Sequence, residues 1–464
     1  MNRAAAITLS LSVLVFGTVI ALGLVDEPLN GEARRWLQPP APPAPQRNLF
    51  LALHGFDAPL DQEPVRFGLS RIQHFDAALQ TSRARGEPFE YVDPAVGDAG
   101  EQTPLPLCDF TVEYCVGANT VPDELVQSPG ERRVVLLERY RALRGLPVSV
   151  TVGTPHLLSP LSRISPVLEI QQLELTRIVQ LARRGELERV RAALAAEIEF
   201  DRRLLTLADS LMLKMLARAL LERSLHVYAQ LADLGPAMAR KLHGIDIVQM
   251  PLSATERSMH AALAHEYRFQ ASIVLDDTLL ADVTDLGWAQ FAVPLVFKRN
   301  ATLNLMYATF SAPLQRYEQL DMPQFAERWR SSANRADRAR GLDSPLHWLI
   351  AWPFNPVGRA LMAISGPDLA GFFARVCNVE ALRRMAVAKV LIRRDGVADM
   401  AIGEYLAALP PELSDPYTRG PLQVDLERRV LRSTWLQRGG QVAQGSSAAR
   451  SMMHHPYEIA LGPR

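Results

Sequence analysis

Near its start the chain has an uncharged apolar run from Ala4 to Val25. As an α-helix rising about 1.5 Å per residue, this run is long enough to cross a hydrocarbon core about 30 Å thick. Arg3 precedes the run and Asp26 follows it, and positive charge favours the cytoplasmic side of a membrane. The pattern therefore predicts a transmembrane anchor over residues 1–25, with a cytoplasmic N-terminus and an exported remainder.

A cleaved signal peptide is the alternative interpretation, because Ala21-Leu22-Gly23 has the small-x-small pattern of a cleavage site. We favour the anchor, since the charged segment before the run is very short and the run is long for a signal peptide. Elsewhere the sequence has no uncharged stretch of about 18 residues that is also predominantly apolar. Richness in Ala, Leu and Arg suggests a bacterial source, so we predict a single-pass inner-membrane protein with a periplasmic C-terminal domain.

Beyond residue 130 the apolar positions follow a near-helical period, which predicts a mainly α fold. Two such stripes flank Gly185: Ile170, Leu173, Ile178 and Leu181, then Leu187, Val190, Leu194 and Ile198. This arrangement is typical of an αα-hairpin with a glycine turn. No convincing second copy of a repeat of about 34 residues follows. A solenoid-like stack of hairpins and an irregular helical domain both remain open.

The remaining domain boundaries come from composition. The sequence PPAPPAP at Pro39–Pro45 favours an extended, semi-rigid polyproline conformation, so we expect residues 26–47 to form a stalk. Residues 48–438 are predicted to be a mainly helical periplasmic domain that ends in a small β-hairpin after Pro410-Pro411. Residues 439–464 are rich in Gly and Ser, which predicts a disordered tail.

Two cysteines, Cys108 and Cys115, lie in a long loop predicted over residues 86–130. In an oxidising compartment we expect them to form a local disulfide that pins the loop. A metal-binding or redox pair is the alternative, although the spacing is not C-x-x-C and no histidine lies between them. The third cysteine, Cys377, has apolar helix-compatible neighbours, which indicates a buried structural thiol.

Composition narrows the class of protein. The chain has 464 residues, of which 48% are hydrophobic and 22% charged, as in ordinary globular proteins. These values exclude a wholly disordered or collagen-like chain. Lys plus Arg and Asp plus Glu each number 50, so the formal net charge is +0. Because dedicated nucleic-acid binders normally carry a basic excess, we expect no nucleic-acid partner.

Three segments carry a family resemblance. Asp415-Pro416-Tyr417-Thr418, followed by Pro421-Leu422, resembles a closing motif of uncharacterised exported bacterial proteins. The stretch Ala208–Leu231 and the sequence NATLN at Asn300–Asn304 are similar to uncharacterised proteobacterial inner-membrane proteins. The resemblance covers most of the exported part and implies a location in the inner membrane. It implies no activity, so no catalytic residue can be transferred from it.

The sequence lacks the short motifs of common catalytic and nucleotide sites, namely G-x-S-x-G, H-E-x-x-H and G-x-x-x-x-G-K-[ST]. Glu256, His260, His265 and Glu266 are the most metal-like group. Five residues separate His260 from His265, which places them on different faces of a helix. We interpret the group as solvated side chains of a helix that Ser253 caps. No catalytic residue, metal or cofactor is therefore predicted.

The first candidate binding surface is a row of side chains at every fourth position: Ser210, Lys214, Arg218 and Glu222, with Asp209 beside it. The simpler interpretation is the solvent face of a helix, stabilised by an Arg218–Glu222 pair. The alternative is a charged groove that binds an anionic or peptide ligand.

The second candidate surface is the aromatic segment Trp348–Arg359, with Trp348, Trp352 and Phe354. Buried packing is the simpler interpretation, and a ligand-facing or membrane-surface patch is the alternative.

These features favour a non-enzymatic, membrane-anchored envelope protein that binds a protein or peptide through a helical surface. Its expected partners are the lipid bilayer, through residues 4–25, and another envelope protein. An envelope hydrolase or transferase with an unfamiliar site is the alternative, supported by chain length and by acidic and histidine residues on predicted helices.

Overall fold

The computed structural model describes residues 25–86, 89–93, 107–117, 126, 128–276, 297–339, 355–365, 369–436, 442–443 and 458–462. This part of the chain is mainly helical, with a small antiparallel sheet near the C-terminus, as predicted. None of its helices is long and apolar enough to cross a membrane. The anchor predicted over residues 1–25 lies outside it, except for Val25.

The helices, in chain order, are α1 (Gly31–Leu37), α2 (Leu49–His54), α3 (Pro64–Arg85), α4 (Glu131–Leu143), α5 (Ile164–Arg183), α6 (Leu187–Leu207), α7 (Leu211–Leu231), α8 (Pro236–His243), α9 (Asp246–Gln249), α10 (Ala254–Arg257), α11 (His260–Leu275), α12 (Arg299–Tyr317), α13 (Met322–Ala339), α14 (Pro356–Ser365), α15 (Leu369–Arg394) and α16 (Ile402–Ala407). The strands are β1 (Gln423–Asp425), β2 (Val430–Arg432), β3 (Trp435–Leu436), β4 (Val442–Ala443) and β5 (Glu458–Ala460).

The larger hydrophobic core, which we call the first cluster, surrounds α7. This helix contacts α5, α6 and α15 and buries apolar residues on several faces. Because a helix that is apolar all round is stable only when neighbours cover every side, these four helices pack as a bundle. Within the bundle, α5 and α6 form an αα-hairpin. It turns at Gly185, whose φ of 74° lies in the left-handed region that glycine favours.

A second cluster, rich in aromatic side chains, is built from α1, α11, α12, α13 and the first half of α15. The ring of Trp36 on α1 packs edge-on against Tyr267 and Tyr307. The second half of α15 belongs to the first cluster. With 26 residues α15 is about 39 Å long, so a single helix joins the two cores.

The C-terminal sheet has the order β1-β2-β5, with both pairings antiparallel. The predicted β-hairpin is therefore present as β1 and β2. In the D-P-Y-T segment the Asp415 carboxylate accepts hydrogen bonds from the backbone of Tyr417 at 2.8 Å and Thr434 at 2.5 Å. The Tyr417 hydroxyl donates to Asn378 on α15 at 2.8 Å. This segment thus attaches the chain before the sheet to α15.

The disordered tail predicted over residues 439–464 is wrong for its last part. Strand β5 pairs with β2, and Ile459 and Leu461 are buried in the first cluster. The backbone carbonyl of Leu461 also accepts a hydrogen bond from Arg393. The Gly- and Ser-rich composition predicts disorder for the whole tail. Its last residues are ordered all the same, because Ile459 and Leu461 are buried and β5 pairs with the edge of β2.

The stalk predicted over residues 26–47 is also wrong in its first half. Residues 31–37 form α1, which buries Ala33 and Trp36 in the second cluster. The proline-rich stretch after it connects α1 to α2, at the edge of the first cluster. The chain after the apolar run is therefore part of the folded domain.

The structure joins Cys108 to Cys115 by a disulfide, the pairing expected from the sequence, with the Cα atoms 5.8 Å apart. The Cys115 backbone donates to the Gln230 side chain at 2.8 Å, and Gln172 donates to the Cys108 carbonyl at 2.7 Å. The disulfide loop is therefore fixed to α5 and α7.

The burial of α1 predicts that Trp36→Ala lowers the free energy of unfolding by about 3 kcal/mol, since a buried tryptophan leaves a large cavity. Urea unfolding of the full chain in detergent, followed by circular dichroism, measures this. Arg34→Ala, at an exposed position of the same helix, is the matched control and should change stability little. If Trp36→Ala changed the free energy of unfolding as little as Arg34→Ala does, α1 would be a free stalk that is not packed on the domain.

Candidate binding cleft

A cleft of about 210 Å³ lies where the two clusters meet. Its walls come from α2, α3, the loop of residues 151–161, the start of α7 and the middle of α11. Most of its lining is apolar: Phe50, Ile72, Phe75, Leu161, Met212 and Phe269. A smaller set of polar residues shares it: His54, Thr151, Thr154, Ser159, Ser210, His265, Glu266 and Arg268. An apolar cavity with few polar groups is the usual form of a binding site.

The first turn of α7 positions two of the polar side chains. Ser210 is the N-cap residue, and its hydroxyl accepts a hydrogen bond from the Leu213 backbone at 3.2 Å. The Glu266 carboxylate on α11 accepts one from the Leu211 backbone at 3.3 Å. Both groups satisfy backbone N–H donors that lack partners within the helix. Burial raises the pKa of Glu266 above its usual range.

The two histidines of the cleft are held in the neutral form. Burial, with a contribution from the Arg71 charge, lowers the pKa of His54 to about 3. Burial and the Arg268 charge lower the pKa of His265 to about 4. The ring of His265 has no hydrogen-bond partner among the described residues. A neutral imidazole offers one donor and one acceptor, so His265 can hydrogen-bond a ligand in the cleft.

Asp209 fixes one wall of the cleft. Its carboxylate accepts a hydrogen bond from the backbone N–H of Thr151, which ties the loop of residues 151–161 to the start of α7. The side chain is buried, and burial raises the pKa of its carboxyl group. The predicted binding residue Asp209 thus lies beside the cleft and supports its wall.

The row of residues predicted as a solvent face or charged groove is neither. Lys214 is buried, and its ammonium donates to the carbonyls of Leu205 at 2.6 Å and Glu256 at 2.8 Å. Burial lowers the pKa of Lys214 to about 8. Arg218 and Glu222 form the expected pair at 2.7 Å, but both are largely buried. Lys214, Arg218 and Glu222 lie inside the bundle because neighbouring helices cover the polar face of α7 as well as its apolar faces, whereas Ser210 lines the cleft.

The group with metal-like spacing is also separated. Glu256 pairs with Arg202, at 2.5 Å, and caps the short helix α10. His260 is exposed beside Trp36, whereas His265 and Glu266 line the cleft. Within the described residues no three His, Cys, Asp or Glu side chains are arranged to hold a metal ion. The predicted aromatic residues Trp348, Trp352 and Phe354 lie outside the described residues.

The sequence pattern predicts that His265 and Glu266 are solvated helix residues, and this prediction is wrong because both line the cleft. The available signal was local, because both residues lie within ALAHEYRF, where apolar and aromatic neighbours favour burial. The opposite wall, at Phe50 and Phe75, lies about two hundred residues earlier in the chain. Periodicity along one helix could not indicate that these walls meet.

Comparisons with protein-family models, with curated proteins and with solved structures found no match for this chain.

The neutral state of His265 predicts acid sensitivity. Its folded-state pKa is lowered from 6.5 to about 4, so the unfolded chain binds a proton first as the pH falls. The free energy of unfolding is therefore lost between these values, by up to about 1.4 kcal/mol per pH unit. His265→Gln should flatten that part of the profile, as measured by urea unfolding across the range.

His260→Gln, at an exposed position of the same helix, is the matched control and should keep the wild-type slope. An unchanged slope in His265→Gln would contradict the assignment of a buried, neutral imidazole in the cleft.

Proposed function

We propose that this protein is a membrane-anchored periplasmic protein that binds an apolar segment of another envelope protein in the cleft. The cleft itself is the observation that carries the proposal. It combines a mainly apolar lining with a smaller set of polar groups, and it lies between the two hydrophobic clusters.

The size of the cleft favours part of a larger partner over a complete small molecule. Sites that enclose a small molecule measure roughly 300–1,000 Å³. A cavity of about 210 Å³ is smaller, and it suits one or two apolar side chains of a peptide. Aromatic side chains, which wall the cleft at Phe50, Phe75 and Phe269, are favourable anchors for such contacts.

Backbone and side-chain polar groups are available for the peptide itself. The N–H groups of Val152 and Gly153 have no hydrogen-bond partner among the described residues, and both residues line the cleft. At Gly153 a Cβ atom would lie 2.6 Å from Ile72, so only glycine fits this wall without a shift. Together with His265 these groups can supply hydrogen bonds to a bound peptide.

The proposed location depends on the N-terminal sequence. The uncharged run from Ala4 to Val25 supports an anchor, and the Cys108–Cys115 disulfide is consistent with an oxidising compartment such as the periplasm. Within the helical domain, the αα-hairpin of α5 and α6 packs with α7 and α15 in one bundle. This packing favours the irregular domain over the solenoid-like stack.

Photo-crosslinking in intact cells tests the proposal. A photoreactive phenylalanine analogue is placed at Leu161, which lines the cleft with 66% of its surface exposed. The matched control is the same analogue at Met400, which is 86% exposed and lies outside the cleft lining. We expect an envelope protein to be crosslinked from Leu161 only. Met212→Trp, which fills the cleft, should abolish that crosslink.

Failure to crosslink from Leu161, or crosslinking of the same proteins from Met400, would contradict the proposed binding cleft. Retention of the crosslink in Met212→Trp would place the partner elsewhere on the surface.

A second candidate, an envelope hydrolase, is favoured by one observation. Ser210, His265 and Glu266 line the same cleft, and these are the residue types of acyl-transfer sites. The Ser210 hydroxyl, however, accepts from the Leu213 backbone, and no hydrogen bond joins it to His265. Labelling by a fluorophosphonate probe that disappears in Ser210→Ala would establish the hydrolase in place of the binding protein.

A further inference from the structure

We propose that one end of the domain, formed by the start of α12 and by α14, lies directly against the bilayer that residues 4–25 cross. We call this end the membrane-facing end. The inference rests on the anchor in the proposed function, but it does not depend on the cleft or its ligand.

The chain that leaves the apolar run is held on α12 from its first residue. The carbonyl of Val25 accepts a hydrogen bond from the Lys298 ammonium at 2.9 Å. The two carboxylate oxygens of Asp26 accept from the backbone N–H groups of Asn300 at 2.7 Å and Ala301 at 3.1 Å. Asp26 therefore caps the start of α12, where a carboxylate is favourable because these N–H groups have no partner within the helix.

Asn304 extends this attachment by one helical turn. Its side-chain oxygen accepts from the Asn30 backbone at 2.8 Å. Its amide group donates to the Glu27 carboxylate at 2.6 Å and to the Pro28 carbonyl at 3.0 Å. The chain from Val25 to Asn30 consequently lies along α12 and leads straight into α1, whose Trp36 is buried. No free spacer is left between the apolar run and the folded domain.

A second connection reaches the same place. The Lys298 backbone donates to the Asn355 side chain at 3.0 Å, and Asn355 donates to Thr302 at 3.0 Å. Asn355 immediately precedes α14, and Lys298 immediately precedes α12. Three points of the chain, Val25, Lys298 and Asn355, thus meet at the membrane-facing end.

The sequences that lead to these three points share a composition. Residues 4–25, 286–297 and 345–354 contain no Asp, Glu, Lys or Arg. The second and third of these stretches hold Trp288, Trp348 and Trp352, and tryptophan is enriched where a protein meets the membrane interface. Among the described residues, Val25 and Leu361 add exposed apolar surface at this end.

A lipid bilayer is the occupant that these observations favour. If residues 4–25 span a membrane, Val25 lies at its outer surface, and the hydrogen bonds of Val25 and Asp26 hold α12 there. A flexible stalk would leave the orientation of the domain free. The fixed attachment instead sets one orientation of the domain relative to the bilayer.

Fluorescence quenching by lipids tests the orientation. The full chain is reconstituted in phosphatidylethanolamine–phosphatidylglycerol vesicles that contain a lipid with a spin-labelled head group. A fluorophore is attached at Leu361→Cys or, as the matched control, at Met400→Cys, an exposed apolar residue beyond the other end of α15. We expect quenching several-fold stronger at position 361. The unsubstituted protein, whose free Cys377 is buried, gives the labelling background.

A second variant tests the attachment itself. Asp26→Asn combined with Asn304→Ala removes side-chain acceptors and donors between residues 26–30 and α12, while the anchor stays intact. Quenching at position 361 should fall towards the value at position 400. Asp395→Asn, which weakens an exposed ion pair with Arg394 after α15, is the control and should leave both values unchanged.

Equal quenching at positions 361 and 400 in the unaltered protein would overturn the membrane-facing end. Unchanged quenching in the double variant would overturn the role assigned to Asp26 and Asn304. If the protein fails to float with the vesicles, the anchor is wrong and this inference falls with it. The crosslink from Leu161 is measured separately, so failure of the binding cleft is distinguished from either result.

Discussion

The burial of α15 is the constraint on which the rest of the structure depends. This helix lies in both hydrophobic clusters, so its charged side chains need partners inside the protein. Arg383 donates to Glu380 and to the carbonyls of Val248 and Gln249, at distances of 2.7–3.1 Å. Because the bonds to Val248 and Gln249 reach α9, satisfying the charge of Arg383 also fixes α9 against α15.

The same requirement explains the C-terminal part of the chain. The Lys389 ammonium and the Arg393 guanidinium both bind Asp233, at 2.6 and 2.7 Å, and Arg393 also donates to the Leu461 carbonyl. Strand β5 is therefore held by the polar edge of α15 as well as by pairing with β2. In the chain before α1, Asp26 serves a comparable purpose by capping α12. Local charges thus decide where strand β5 and the chain before α1 attach to the rest of the domain.

The cleft follows from the junction of the two clusters. At the start of α7, Leu211 belongs to the second cluster and Leu213 to the first, so the walls on either side belong to separate cores. The N–H groups of that first turn require acceptors, which Ser210 and Glu266 supply. Polar groups are consequently placed in an otherwise apolar cavity. A ligand that buries apolar surface there also meets His265, which has a free donor and acceptor.

The sequence by itself determined the helical class, the hairpin at Gly185, the β1–β2 hairpin and the pairing of Cys108 with Cys115, because spacing and turn chemistry act over a few neighbouring residues. Only the tertiary structure decided that Lys214 and Glu222 are buried, that α1 and β5 join the folded domain and that His265 faces a cleft. These outcomes depend on contacts between residues far apart in the chain. Whether a polar face meets water or another helix is set by the helices that cover it, and no local pattern records that.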